Sequence, residues 1–309
     1  MPRLFQSLNL PTLTAYAPFL FVFLWSTGFV GAKLGLPYAD ALTFLLVRYL
    51  LVIALMGLLV FCTRAPWPSD PWQFLHIGVS GVLVHAVYLG GVFLSLKHGL
   101  PAGITALLVG MQPLLTACGV GWWLGEKVSS KQRWGLFFGF IGVVFVLAHK
   151  ISEVDLRTLG ALLIPAIVAL CAMTVGTLYQ KRFCPSFDLR TGSIIQFVPS
   201  ALLTAIAAAA SEEMHIEWSP AFIFSLSWVV LVLSFGAISL LNLLIRQGSA
   251  VKVASLFYLT PPATALIAWM VFGETLNTLA LLGMALAVYG VYLARSSQAR
   301  DEVNEAEAA

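Results

Sequence analysis

Apolar runs of about twenty residues, separated by short polar breaks, fill almost the whole of this chain. Ten such stretches lie near residues 15–36, 41–61, 73–96, 101–123, 131–149, 158–180, 190–210, 220–245, 250–272 and 276–294. Each is long enough for a helix to cross the hydrocarbon core of a bilayer, which takes about 20 residues. The breaks carry turn chemistry, as in Pro37-Tyr38-Ala39-Asp40, Pro66-Trp67-Pro68-Ser69-Asp70-Pro71 and Cys184-Pro185-Ser186. None of them is long enough to form a soluble domain. The first run follows Arg3 and is too long for a signal-peptide core, so it reads as a first span. Residues 296–309 are polar and rich in Ala and Glu, and read as a solvated tail.

The chain also repeats itself. The stretch KHGLPAGITALLVGMQPLLTACGVGWWLGE, from Lys97 to Glu126, returns as RQGSAVKVASLFYLTPPATALIAWMVFGE, from Arg246 to Glu274. Lys97, Gly99 and Pro113 match Arg246, Gly248 and Pro262 at an offset of 149 residues, and Gly125-Glu126 matches Gly273-Glu274 at 148. At that same offset Gly28, Lys33 and Thr43 match Gly176, Lys181 and Thr191, while Gly135 and Gly142 match Gly283 and Gly290. A register held over so much of the chain indicates an ancestral duplication. The expected fold is therefore an all-α polytopic membrane protein of ten helices. Residues 1–150 form the first five-helix repeat and 151–295 the second. Five is odd, so the second copy enters the bilayer from the opposite face and the repeats are inverted, a plan common among secondary transporters.

Composition agrees and adds a direction. With 60% hydrophobic residues, 10% charged residues and a mean hydropathy of +0.92, the chain cannot cover a water-soluble globule with polar side chains. The net charge of +3 is spread over short loops, which argues against nucleic acid as a partner. Of the 17 Lys and Arg residues, 12 fall on the side of the termini and four on the other, which places both termini in the cytoplasm. Cys62, Cys118, Cys171 and Cys184 show neither paired nor metal-ligand spacing, so free buried thiols are expected.

Particular residues also resemble a family. Trp25-Ser26-Thr27-Gly28-Phe29 with Lys33, Arg48 in the second span, Pro113 followed by Gly125-Glu126, and Pro262 with Gly273-Glu274 look like the EamA group of the drug/metabolite transporter superfamily, over roughly residues 15 to 295. The resemblance implies a carrier of the bacterial inner membrane, commonly an exporter, for amino acids, related small metabolites or toxic organic compounds. It also implies a central cavity lined largely by spans 1, 3, 4, 6, 8 and 9, with spans 5 and 10 peripheral. Arg48 meets Gln196 at offset 148, so the halves cannot do identical work.

Candidate site residues follow from polar groups at span depth. Arg48 is the only Lys or Arg well inside a span, at a cost of about 2.5–3.5 kcal/mol at a helix centre. It reads as a ligand for a substrate carboxylate, a gate contact, or an arginine satisfied by carbonyls and one acidic partner. His85 and Tyr88 stand three apart and are expected on one helix face; His85 would bind substrate, carry a proton, or be a neutral histidine bonded between helices. Trp25, Ser26, Gln112, Thr174, Asn242 and Tyr258 complete the proposed substrate-binding set, against the alternative of packing or helix-to-helix bonding. Lys33, Arg48 and Glu274 toward one face, and Lys181, Gln196 and Glu126 toward the other, suggest gates in which each Gly-Glu carboxylate meets a basic residue of the opposite repeat. Pro113, Pro261 and Pro262 would kink their spans and free carbonyls one turn earlier. Gly135 and Gly139 fit close helix packing, within a protomer or across a dimer.

No catalytic constellation, metal-ligand set, cofactor motif or phosphate-cradling loop is present in the sequence, so an enzyme or an ATP-driven pump is not expected. The expected function is secondary transport of small organic metabolites, amino acids first, with the lipid bilayer and a small-molecule substrate as partners and a monomer or homodimer as the working unit. The alternative is a channel, sensor or intramembrane enzyme on the same scaffold.

Overall fold

The computed structural model describes residues 10–100, 105, 108–151, 159–272 and 277–296. Among these residues the fold is helical, and the one extended contact is an isolated antiparallel bridge between Ala39 and Ile216. The helices are α1 (Leu10–Gly35), α2 (Ala41–Thr63), α3 (Pro71–Lys97), α4 (Gln112–Leu124), α5 (Ser130–Ile151), α6 (Leu159–Phe183), α7 (Leu189–Ser211), α8 (Pro220–Gln247), α9 (Ala250–Ser255, a 3-10 turn Leu256–Leu259, then Thr260–Phe272) and α10 (Thr278–Ser296). Seven of them carry described stretches long and apolar enough to cross a membrane, and α1 carries a shorter apolar stretch, Tyr16–Gly28. Their outward faces expose Phe19, Phe61, Trp122, Leu202, Met270 and Tyr292, as lipid-facing helices do. The protein is thus a multi-pass membrane protein.

Both halves break their helices in the same places. In α3 the segment Val82–Val87 is π-helical, and in α8 so is Val229–Ala237, which contains the repeat counterpart of the first. A π turn inserts an extra residue into the helix and rotates everything after it. The stretch before α4 stops at a turn over Gly110 and Met111, and α9 tightens into its 3-10 turn at the matching point. Pro113, Pro261 and Pro262 therefore do not kink the interior of a helix as expected. Each stands in the first turn of a new helical segment, where no backbone donor is needed and proline's fixed φ helps.

Packing follows the repeat. Helix α2 lies against α7, α5 against α10, and α4 against α9, while α3 with α6 and α3 with α7 have counterparts in α8 with α1 and α8 with α2. At the α5–α10 contact, Gly142 faces Gly283 and Ala287 while Gly135 faces Gly290 and Ala294, so the two helices run antiparallel. Their backbones touch. A Cβ added at Gly142 would lie 2.6 Å from the carbonyl oxygen of Gly283, and one at Gly283 2.6 Å from that of Gly142. The small-residue stripe expected of α5 is therefore spent on contacts within the protomer. Gly139 belongs to it, packed under the ring of Tyr258.

Salt bridges and capping bonds secure the two ends of the bundle. At one end, Lys97 Nζ donates to the carbonyl of Ala39 (3.2 Å) and lies 3.8 Å from Asp40 Oδ1. At the other, Arg246 Nη1 donates to the carbonyl of Phe187 (2.5 Å) and sits 5.3 Å over its ring. Ala39 and Phe187 are themselves repeat equivalents, each just before the aspartate, Asp40 or Asp188, that opens α2 or α7. Asp188 is bonded instead to Arg190, whose guanidinium holds the Asp188 carboxyl below its usual range. At the Lys97 end Glu212 also caps α2: the N–H groups of Leu42 and Thr43 and the Thr43 hydroxyl all donate to its carboxylate at 2.8 Å. The four thiols are free, but only Cys184 is buried; Cys62, Cys118 and Cys171 are exposed, because their helices turn those positions outward.

Candidate functional site

Between the two ends lie two polar regions of different character. Toward the Lys97 end, α1, α2, α3 and α8 enclose a cavity of about 50 Å³ open to the centre of a water molecule. Trp25, Arg48, Tyr88, Phe93, Leu96 and Leu233 are among its walls. Trp25 and Tyr88 stack, with ring centroids 6.4 Å apart and planes 16° from parallel, and Phe257 meets Trp25 edge-on at 5.4 Å. Arg48 is 2% exposed, and its Nε donates to Ser234 Oγ (3.0 Å) on the π segment of α8. Among the described residues no carboxylate is within ion-pair reach of it.

Toward the Arg246 end the interior holds a cluster of neutral amides bonded to one another. Gln180 Nε2 donates to Asn242 Oδ1 (2.9 Å), Asn242 Nδ2 to Gln196 Oε1 (3.3 Å), and Gln196 Nε2 to Gln180 Oε1 (3.3 Å). The three amides, from α6, α8 and α7, close a ring, and Ser80 Oγ of α3 accepts a further bond from Gln196 (3.1 Å). All four residues are buried. Such a ring satisfies each amide by the others, which a low-dielectric interior demands.

Of the residues expected to bind substrate, Trp25 and Tyr88 line the cavity and Asn242 sits in the ring. His85 does not share Tyr88's face. The π turn between them rotates His85 toward α2 and α7, where it stacks on Phe197 (4.2 Å) with neither ring nitrogen bonded, while Tyr49 donates to its carbonyl (2.9 Å). Ser26 bonds the carbonyl of Val22 (2.7 Å) and approaches that of Thr260 (3.3 Å), tying α1 to α9. Thr174 bonds the carbonyl of Leu170 in its own helix (2.8 Å). Gln112 donates to Thr116 and Thr177 (3.1 and 3.4 Å) and lines a smaller void of about 10 Å³ beside Lys181. Tyr258 turns to α5, away from the cavity, with no partner for its hydroxyl.

The expected gates resolve differently at each end. Glu126 and Lys181 do not pair. Gly125, at φ 70°, turns the chain so that Glu126 Oε2 accepts the N–H of Ala250 (3.3 Å), and Lys181 Nζ donates to the carbonyl of Gly248, so both grip the same turn between α8 and α9. Glu274 lies outside the described residues, and α1 carries Lys33. The cavity walls also depart from the expected set of spans, because α2 contributes Arg48 and, among the described residues, none of the wall comes from α4, α6 or α9. Sequence reading missed Gln180 and Ser234. Gln180 matches Ala32 in the other repeat, so a search for shared residues passes over it.

Comparison with known proteins decides the family. The model of the EamA-like transporter family matches twice, over residues 13–148 and 158–296. The chain belongs to the EamA-like transporter family. It is 27% identical over 290 residues to the uncharacterized transporter YvbV of Bacillus subtilis (strain 168), covering 91% of each chain. It is 24% identical over 278 residues to the uncharacterized inner membrane transporter YedA of Escherichia coli (strain K12), covering 90% of this chain and 89% of that one. A probable amino-acid metabolite efflux pump of the same strain is 23% identical over 284 residues, covering 89% of this chain and 92% of its own. One solved crystal structure, 17% identical, superposes with a TM-score of 0.76 over 92% of this chain and 96% of its own, which shows the shared fold. This EamA-family protein is a membrane transporter, as its family and these relatives are named.

Proposed function

We propose that this EamA-family chain is a secondary carrier that exports small organic metabolites, amino acids foremost, across a bacterial inner membrane by alternating access. The observation that carries the reading is the difference between the two ends of the bundle: a walled cavity toward Lys97 and a closed amide ring toward Arg246. A carrier caught with a void on one side of its centre and packed side chains on the other has this form. In this reading the ten helices span the membrane as two inverted repeats, residues 1–150 and 151–295, with residues 296–309 as a cytoplasmic tail. The antiparallel course of α5 against α10 and the repeat-matched packing support the inversion. The excess of Lys and Arg at the Arg246 end supports cytoplasmic termini. The protein works in the bilayer as a monomer or homodimer, and the amino-acid class draws on the efflux pump of Escherichia coli.

Counterflow in proteoliposomes tests the reading. Vesicles preloaded with an unlabelled amino acid should accumulate the labelled one transiently and saturably. An absence of saturable exchange across a panel of amino acids and related acids and amines would sink it.

A further inference from the structure

We infer that the cavity recognises its solute through a carboxylate held by the terminal nitrogens of Arg48, with the apolar or aromatic body of the solute against Trp25 and Tyr88. The inference rests on reading this cavity as the solute site. Its first support is the state of Arg48 itself. The side chain is 2% exposed, yet its only hydrogen bond to a described residue uses Nε, on Ser234 at 3.0 Å. The terminal amino groups, four of the five N–H donors of a guanidinium, have no such bond. Anchoring through Nε leaves those groups to present the planar fork that matches a carboxylate.

The second support is what surrounds it. Apart from Arg48, the described residues of the cavity lining are aromatic, aliphatic or glycine, and the Tyr88 hydroxyl is the one other titratable group among them. An empty cavity thus holds an uncompensated positive charge against low-dielectric walls, a costly arrangement that a bound anion neutralises. An amine of the same shape would instead place a second positive charge beside the first. The space of about 50 Å³ takes three or four waters or a carboxylate head in this state. The body of the solute follows along the stacked Trp25–Tyr88 wall, offering its own ring or chain to those rings. An α-ammonium group is therefore optional in the solute, and the carboxylate is required.

Three probes with one body separate the possibilities: 3-phenylpropionate, 3-phenylpropanamide and phenylethylamine. With purified protein, ligand-induced thermal stabilisation should report binding of the carboxylate and at least tenfold weaker binding of the amide and the amine. Arg48→Gln should lose that preference by a similar factor, whereas Arg48→Lys, a point charge without the fork, should keep part of it. Equal binding of the amide or amine, binding of none of the three, or unchanged carboxylate affinity in a folded Arg48→Gln variant would overturn the inference. If Arg48→Gln does not fold, the wild-type series alone decides. Carboxylate binding with no counterflow of any solute would remove the carrier reading and leave the anion site. Counterflow of the amine in preference to the carboxylate would do the reverse.

Discussion

Gln180, Gln196 and Asn242 satisfy one another, so the cost of altering them depends on how many are altered. Gln180→Leu leaves a donor on Gln196 and an acceptor on Asn242 buried without a mate. The expected loss is about 1–3 kcal/mol by the cost of orphaned buried groups, toward the lower figure because a chain unfolded within a bilayer finds other partners. Replacing all three with leucine should cost less than the sum of the single changes, since no amide is then stranded. Thermal unfolding of the four proteins in detergent checks this, and simple additivity would show that the ring is not a unit. Glu212 is the comparable residue at the other end. Glu212→Ala removes two charge-assisted bonds to the first N–H groups of α2 and should lower stability by about 1–2 kcal/mol, read as a fall in the melting temperature. Arg48 and Trp25 could be picked from sequence because a lone arginine or a tryptophan at span depth stands out by type. Gln180 could not, because an amide signals a function only through its neighbours, and here those stand on two other helices, α7 and α8.

Helices were the easiest part to read, since length and apolar character alone mark them, and every expected stretch contains helical residues. What periodicity concealed was the phase within a helix. His85 and Tyr88 would share a face on an ideal helix, but His85 lies inside the π segment Val82–Val87 that ends just before Tyr88, and nothing in its residues VLVHAV announces an inserted residue. The counterpart segment in α8 brings Ser234 to Arg48, so the same irregularity sets the site from both halves. Glycine spacing was informative about α5 and α10 and silent about which partner each would choose. The choice is testable. Gly142→Leu or Gly283→Leu drives a side chain into a facing backbone and should cost at least about 1–3 kcal/mol, or prevent assembly, whereas Gly57→Ala, with nothing within 4 Å of the added carbon, should be tolerated. Yield and melting temperature in detergent distinguish the three.

Across the whole molecule, the repeat was legible as an offset in the sequence and returns as a pairing rule among helices, with Lys97 and Arg246 gripping equivalent loops at opposite ends. Proposed topology can be checked at those ends. In a background lacking the native cysteines, His215→Cys should react with a membrane-impermeant maleimide in intact cells, and Ser186→Cys only after permeabilisation; the opposite pattern would invert the orientation, and labelling of both in intact cells would refute it. The amide ring has one more implication at this scale. It carries no formal charge, and a rearrangement that parts its three helices moves none through the electric field of the membrane. A potential of 100 mV does about 2.3 kcal/mol of work on each elementary charge that crosses it, and on these amides it does almost nothing. The ring itself should therefore add no voltage dependence to opening at the Arg246 end, whereas Arg48, a fully charged group buried among the described residues, is a place where an electrical driving force can act on the protein.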